Sequence, residues 1–271
     1  MTREYSETYF LSAGEVNAEG EMSLPLLTAK IIDIATAHAN SLSIGNPDMA
    51  SLGLGWVLSR LTIELTALPR ANETYSLTTW IEDWNRHFSL RCFCLTDAGG
   101  NILGYARSIW MVMNTSTREN AGLAHLSLPE AMISDRACPI ARQAKHLPIF
   151  PEHSGTDFPA KSLRATAPTR YHTFTYCDLD FYRHVNTVRY VALLLNQFSL
   201  AEHDKARVSR IELNFLHEAQ YGTEVSILKS QSDSEPMLYN LALKPAADGK
   251  ETILFARIFF TMRLRIDDNR I

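Results

Sequence analysis

Nowhere in the 271 residues is there a lysine- or arginine-rich run, an apolar stretch near the ~20 residues that cross a bilayer, or a cysteine pair at C-x-x-C spacing. The first absence, with a formal net charge of -4 at pH 7, removes the positive field that draws nucleic acid. The second, beside an N-terminus (M-T-R-E-Y-S-E-T-Y-F) that mixes charges and lacks the apolar centre of a signal peptide, points to a cytoplasmic protein without a membrane span. The third leaves Cys92, Cys94, Cys138 and Cys177 as reduced, structural thiols. Cys92 and Cys94 alternate on the strand-like R-C-F-C-L, which puts both on one side as small apolar fillers. No G-x-S-x-G and no H-E-x-x-H occurs, and G-L-G-W-V-L at Gly53–Leu58 fails the dinucleotide fingerprint. Serine-hydrolase, zinc and nucleotide-cofactor chemistry are therefore disfavoured, and neither metal nor cofactor is expected.

What is present suits a globular chain with a sizeable core: 46% hydrophobic and 21% charged residues exclude disorder. A length of 271 residues fits one large domain or two of ordinary size. Self-similarity favours two related halves. S-R-L-T-I-E-L at Ser59–Leu65 is matched by S-R-I-E-L-N-F at Ser209–Phe215, and A-R-S-I-W-M-V-M at Ala106–Met113 by A-R-I-F-F-T-M-R at Ala256–Arg263, both at an offset of 150. Each second match follows a glycine turn, Gly99-Gly100 or Gly249. Two matches at one offset argue for duplication with no net insertion between them.

Each half opens on a helical pattern. Leu27, Ile31, Ile34 and Ala35 carry it within Leu26–Leu42; Val188, Val191, Leu194, Leu195 and Phe198 carry it later, with Asn186 or Thr187 as N-cap. Strand patterns follow: Val57–Leu65, Tyr75–Trp84, Ser89–Thr96 and Tyr105–Met113, then Arg210–Phe215, Glu224–Ser230, Leu238–Leu243 and Ile253–Leu264. A helix and an antiparallel meander, repeated once, make an α+β fold in which a curved sheet wraps a buried helix. Six of the eleven prolines fall between Pro129 and Pro168, marking an irregular connector.

The polar cluster C-D-L-D-F-Y-R-H-V-N-T-V-R-Y, Cys177–Tyr190, stands at the entrance to the second helix. Asp178 and Asn186 suit a helix start, where short acceptors satisfy free N–H groups. His184 has no such role, and Asp180 is placed to orient or charge-stabilise its ring. Subtracting 150 from Asp180, His184 and Asn186 gives Lys30, Ile34 and Thr36, so on that offset the first half lacks the cluster. His184 and Asp180 are then expected to be more than the fold requires.

D-L-D-F-Y-R-H-V-N-T-V-R-Y resembles the signature of acyl-acyl carrier protein thioesterases, D-x-D-x-N-x-H-x-N-x-x-x-Y. W-V-L-S-R-L-T-I-E-L at Trp56–Leu65 and G-Y-A-R-S-I-W at Gly104–Trp110 extend the resemblance over both halves. It implies a double hotdog fold, two tandem helix-in-curved-sheet modules in one chain: residues 1–128 with the acyl-chain pocket beside the first helix, a connector over 129–168, and residues 169–271 with the catalytic cluster. It also implies hydrolysis of the thioester of a fatty acyl-acyl carrier protein in fatty acid biosynthesis. Carried over by position, Asp180 and His184 match the family's polar catalytic residues, Asn186 the asparagine after them, and Glu218 in F-L-H-E-A-Q-Y-G its downstream acid. Ala219 stands where plant relatives often have cysteine, which excludes a cysteine nucleophile there. Tyr182 replaces the family asparagine two residues before the histidine, and a phenol lacks the amide's paired donor and acceptor.

The expected chemistry is direct water attack, with Glu218 and His184 as base, Asp180 orienting the cluster, and N–H groups at the helix start facing the oxyanion. The partner implied is acyl carrier protein with its acyl chain on phosphopantetheine. The basic segment K-S-L-R-A-T-A-P-T-R at Lys161–Arg170 is either a docking site for that acidic partner or a solvated charge run. A coenzyme A thioesterase, another hotdog enzyme such as a dehydratase, and a non-catalytic acyl-carrier-binding protein stay open as alternatives. Oligomeric state, a homodimer included, is not encoded in any of these motifs.

Overall fold

The computed structural model describes residues 3–124, 126, 129–143, 170–247 and 251–263. The first half runs β1 (Glu4–Phe10), α1 (Leu24–Ser41), α2 (Asn46–Ser51), β2 (Leu54–Leu65), β3 (Thr74–Trp84), β4 (Ser89–Asp97) and β5 (Ile102–Asn114). The second repeats the order with β6 (Arg170–Thr173), α3 (Thr187–Leu195), α4 (Leu200–Lys205), β7 (Ala206–Phe215), β8 (Glu224–Gln231), β9 (Leu238–Pro245) and β10 (Leu254–Met262). All ten strands join one antiparallel sheet in the order β1-β3-β4-β5-β2-β7-β10-β9-β8-β6, which reads the same from both edges once the halves are exchanged.

The joint between β2 and β7 carries the duplication. Thr62 pairs with Glu212, the residue 150 positions on, so a pseudo-twofold axis passes through that pair; Leu61–Leu213 and Ile63–Ile211 flank it, all four buried. The repeated motifs have physical reasons. Ser59 and Ser209 are each the extra residue of a β-bulge, which bends the strand around its helix. Ala106 and Ala256 are small because they lie under the helices in the core, whereas the arginines after them turn to the other face and meet Glu82 and Glu212. Gly104 is required by close approach: a Cβ there would sit 2.5 Å from the Glu64 carbonyl oxygen.

Both helices lie in the concave face and pack against each other, so one core cluster takes Leu27, Ile31 and Ile34 from α1 and Val191 and Leu194 from α3. Ser23 caps α1, its Oγ accepting the Leu26 N–H at 3.3 Å, with Pro25 in the first turn, where no N–H is needed. On the convex face the described start of the connector, 129–143, crosses β3: the Trp80 indole donates to the Arg136 carbonyl at 2.6 Å, and Cys138 packs with Cys92 and Cys94. Those three thiols are buried fillers as expected. Cys177 is not, because it is exposed in the loop before α3.

The offset of 150 does not extend to the helices. Ser23 and Asn186, the two caps, are 163 apart, and the 13 additional residues lie between helix start and bulge in the first half, where α1 has 18 residues against 9 in α3. Lys30, Ile34 and Thr36 lie inside α1 and are not the counterparts of Asp180, His184 and Asn186. Gly249, Lys161 and Arg164 lie outside the described residues.

Candidate active site

The loop from Thr175 to Asn186 is built from local hydrogen bonds that its sequence dictates. Asp178 Oδ2 accepts from the Thr175 N–H at 2.7 Å and from its hydroxyl at 3.1 Å. Asp180 Oδ1 accepts from the N–H groups of Tyr182 at 2.9 Å and His184 at 3.0 Å, and the Asp180 N–H donates to the His184 carbonyl at 2.8 Å. Asn186 caps α3, its Oδ1 accepting from Val188 N–H at 3.0 Å. Each device recurs in the first half. Glu15 holds Ser12, Asn17 Oδ1 accepts from Glu19 and Glu21 at 3.1 and 2.9 Å, and Ser23 caps α1.

The true counterparts of Asp180, Tyr182, His184 and Asn186 are therefore Asn17, Glu19, Glu21 and Ser23. This corrects the reading of Asp180: the fold does require an oxygen acceptor there, and only its charge is additional. His184 remains the residue that the loop does not require. In the first half Glu21 is held by Arg263 through two bonds of 2.9 and 3.0 Å, a closed ion pair.

His184 instead faces Glu218. The β7–β8 connection is fixed to the loop by backbone pairing of His184 with Gln220 and by the Val185 N–H donating to the Ala219 carbonyl at 2.8 Å, which brings His184 Nε2 within 3.4 Å of Glu218 Oε2. Arg118, on the turn after β5 of the first half, sits on the same Glu218 oxygen. Burial pushes the His184 imidazole below its ordinary range, the Arg118 charge adds to this and Asp180 opposes it. Ala219 is buried and its N–H donates to the Tyr190 hydroxyl, leaving no nucleophile at that point.

These groups stand at one end of a cavity of about 1010 Å³ whose lining includes Asp180, Tyr182, His184, Asn186 and Glu218. The rest of its wall comes mainly from the first half, from α1, β2, β4, β5 and the end of β3, with Trp56, Trp84, Arg91 and Trp110 among its residues. Tyr182 reaches the cluster through its backbone alone: its half-exposed ring packs on Phe181, centroids 4.0 Å apart, and its phenol has no hydrogen bond among the described residues. Arg183, between Tyr182 and His184, holds φ at 66°, where the first half has Gly20 at 73°. Among the described residues no group of three or more His, Cys, Asp and Glu side chains could hold a metal ion.

Arg118 and Arg91 escaped sequence reasoning. Arg118 is 100 residues from its partner Glu218 and belongs to no motif, so only the closed topology brings them together.

Two helices in concave sheets, fused edge to edge through β2 and β7 with one polar cluster at a shared cavity, define a double-hotdog protein. Within that class the chain belongs to the acyl-ACP thioesterase family: the acyl-ACP thioesterase N-terminal domain profile matches residues 2–125 and the C-terminal domain profile residues 161–259. It is similar to a solved acyl-ACP thioesterase from Bacteroides thetaiotaomicron, 26% identical with a TM-score of 0.81, covering 96% of this chain and 98% of that one. It is 23% identical over 241 residues to a chloroplastic acyl-[acyl-carrier-protein] hydrolase of Cuphea viscosissima, covering 86% of this chain and 55% of the relative. It is 24% identical over 243 residues to oleoyl-acyl carrier protein thioesterase 2, chloroplastic, of Arabidopsis thaliana, covering 85% and 64%. The chain thus spans between about half and two thirds of the length of these curated relatives.

Proposed function

We propose that the chain hydrolyses the thioester between a fatty acyl group and the phosphopantetheine arm of acyl carrier protein, releasing free fatty acid in the cytoplasm. The observation that carries the reading is the His184 imidazole, 3.4 Å from the Glu218 carboxylate in the lining of a cavity of about 1010 Å³. In this reading residues 1–128 form the module that takes the acyl chain, 129–168 connect, and 169–271 carry the chemistry. Among the described residues no helix is long and apolar enough to cross a membrane.

A water hydrogen-bonded to the His184–Glu218 pair gives it a proton as the water oxygen bonds to the thioester carbon. The carbonyl oxygen takes the charge, facing the Thr187 N–H at the first turn of α3; the next N–H, of Val188, is already occupied by Asn186. Collapse breaks the C–S bond, the sulfur leaves with the proton from His184, and the products are a carboxylic acid and a thiol. Asp180 fixes the His184 backbone, Asn186 fixes the start of α3, and Tyr182 lies on the rim over the incoming arm.

Two observations favour a second reading, a protein that binds acyl carrier without turnover: Glu218 is occupied by Arg118, and Tyr182 brings no amide. Parallel assays with one acyl chain on acyl carrier protein and on coenzyme A separate the readings. Hydrolysis is expected on both, faster from the carrier protein; a reversed preference makes it a coenzyme A thioesterase, and a stable co-purified acyl carrier complex without turnover makes it a binder.

A further inference from the structure

We propose that the acyl cavity is built for a chain carrying an acceptor oxygen away from its thioester, a hydroxyl or a carboxylate, and that Arg91 is the side chain that binds it. The inference rests on the thioesterase reading and names its substrate class. Arg91 stands on β4 between Ile81 of β3 and Ser108 of β5, is 4% exposed, and lines the same cavity as His184 and Glu218. Its Nη1 bonds His38 Nδ1 at 2.8 Å and reaches Thr79 Oγ1 at 3.4 Å. Neither partner is an anion. Four other interior arginines differ: Arg107 meets Glu82, Arg210 meets Glu64 and Glu212, Arg257 meets Glu212, and Arg263 meets Glu21.

A guanidinium has five N–H donors. Those on Nε and Nη2 of Arg91 have no hydrogen bond among the described residues, although the side chain is almost wholly enclosed. Burial lowers its pKa to about 10, which still leaves it charged at neutral pH. A wall meant for plain hydrocarbon is apolar, because a CH₂ group over a buried donor leaves it unsatisfied. Here the tryptophans and methionines of the wall are interspersed with polar side chains: Arg91 and, two residues before it on the same face of β4, Ser89, with Ser59 on β2 and Asp33, Thr36 and Asn40 on α1. An oxygen at that depth takes up the spare donors; a carboxylate also meets the uncompensated charge.

Saturated acyl-acyl carrier protein would be compared with chains of equal carbon count bearing a hydroxyl stepped along the chain, and with one ending in a carboxylate. At least one oxygenated chain is expected to exceed the saturated one in kcat/KM by about tenfold or more, the cost of one unsatisfied buried donor. Arg91→Met should abolish the preference, read as the ratio of kcat/KM for the oxygenated and saturated chains measured on one preparation. A wild-type protein that hydrolyses the saturated chain as fast as every oxygenated one overturns the inference, as does an Arg91→Met variant that keeps the ratio. If Arg91→Met fails to fold, the wild-type ratio still decides. If no thioester is hydrolysed, the hydrolase reading fails instead. Quenching of Trp56, Trp84 and Trp110 in the cavity wall by the same acyl carriers then either ranks the oxygenated chain first or overturns the inference.

Discussion

His184 and Glu21 occupy the same place in two copies of one loop, and their neighbours decide what each can do. Glu21 is neutralised by Arg263, whereas His184 stands beside Glu218 and Arg118 in the cavity lining. A base must be neutral to accept a proton, so turnover should fall as acid protonates His184, and burial places that acid limb of kcat/KM below the ordinary histidine value of about 6.5. Two variants should move the limb in opposite directions in a pH-rate profile. Arg118→Gln removes a charge that lowers the pKa and shifts the limb up; Asp180→Asn removes one that raises it and shifts the limb down. Asp180→Asn should leave denaturant stability within about 0.5 kcal/mol, because Asn17 makes the same two backbone contacts. Asp180→Ala should cost about 1–3 kcal/mol, the price of two lost hydrogen bonds. Equal losses in both would show that the loop needs the charge as well as the acceptor.

The turn inside that loop requires a left-handed residue, supplied by Gly20 in one copy and by Arg183 in the other. A left-handed non-glycine residue costs roughly 1–2 kcal/mol and glycine returns about 0.5–1 of this as entropy. Arg183→Gly should therefore raise stability by up to about 1 kcal/mol in a thermal melt, and a drop would mean that the arginine side chain holds the loop. Much at this scale was legible. All eight strand patterns became strands, since alternation over long segments is hard to mistake, and Asn186 caps α3 as its residue type implies. β1 and β6 were missed: E-Y-S-E-T-Y-F lies on the sheet edge, mostly half-exposed, and R-Y-H-T is too short to show a period. The equivalence of the loops was also missed, because S-A-G-E-V-N-A-E-G-E-M-S and T-Y-C-D-L-D-F-Y-R-H-V-N share backbone devices rather than residues, and the 13 extra residues between helix start and bulge broke the offset.

Among the described residues, duplication has produced one sheet and one main core shared by both halves, but only the second half's loop pairs a histidine with an acid at the cavity. The second half carries His184 and Glu218; the first supplies most of the cavity wall and the Arg118 charge. The duplication was readable because β-bulges and under-helix alanines constrain residue identity at a fixed spacing. Arg118 and Arg91 were not, because their roles arise from strands that meet only in the closed sheet. The family motif pointed to Glu218, which as an isolated strand-end acid would have passed for surface charge. The central claim is that this His184–Glu218 pair, assembled on a duplicated scaffold, hydrolyses a carrier-borne thioester. Its most direct test is single-turnover hydrolysis of long-chain acyl-acyl carrier protein by wild-type, His184→Ala and Glu218→Gln proteins of matched thermal stability. Each variant should lose about 10²- to 10⁴-fold in rate; full activity in both would contradict the account.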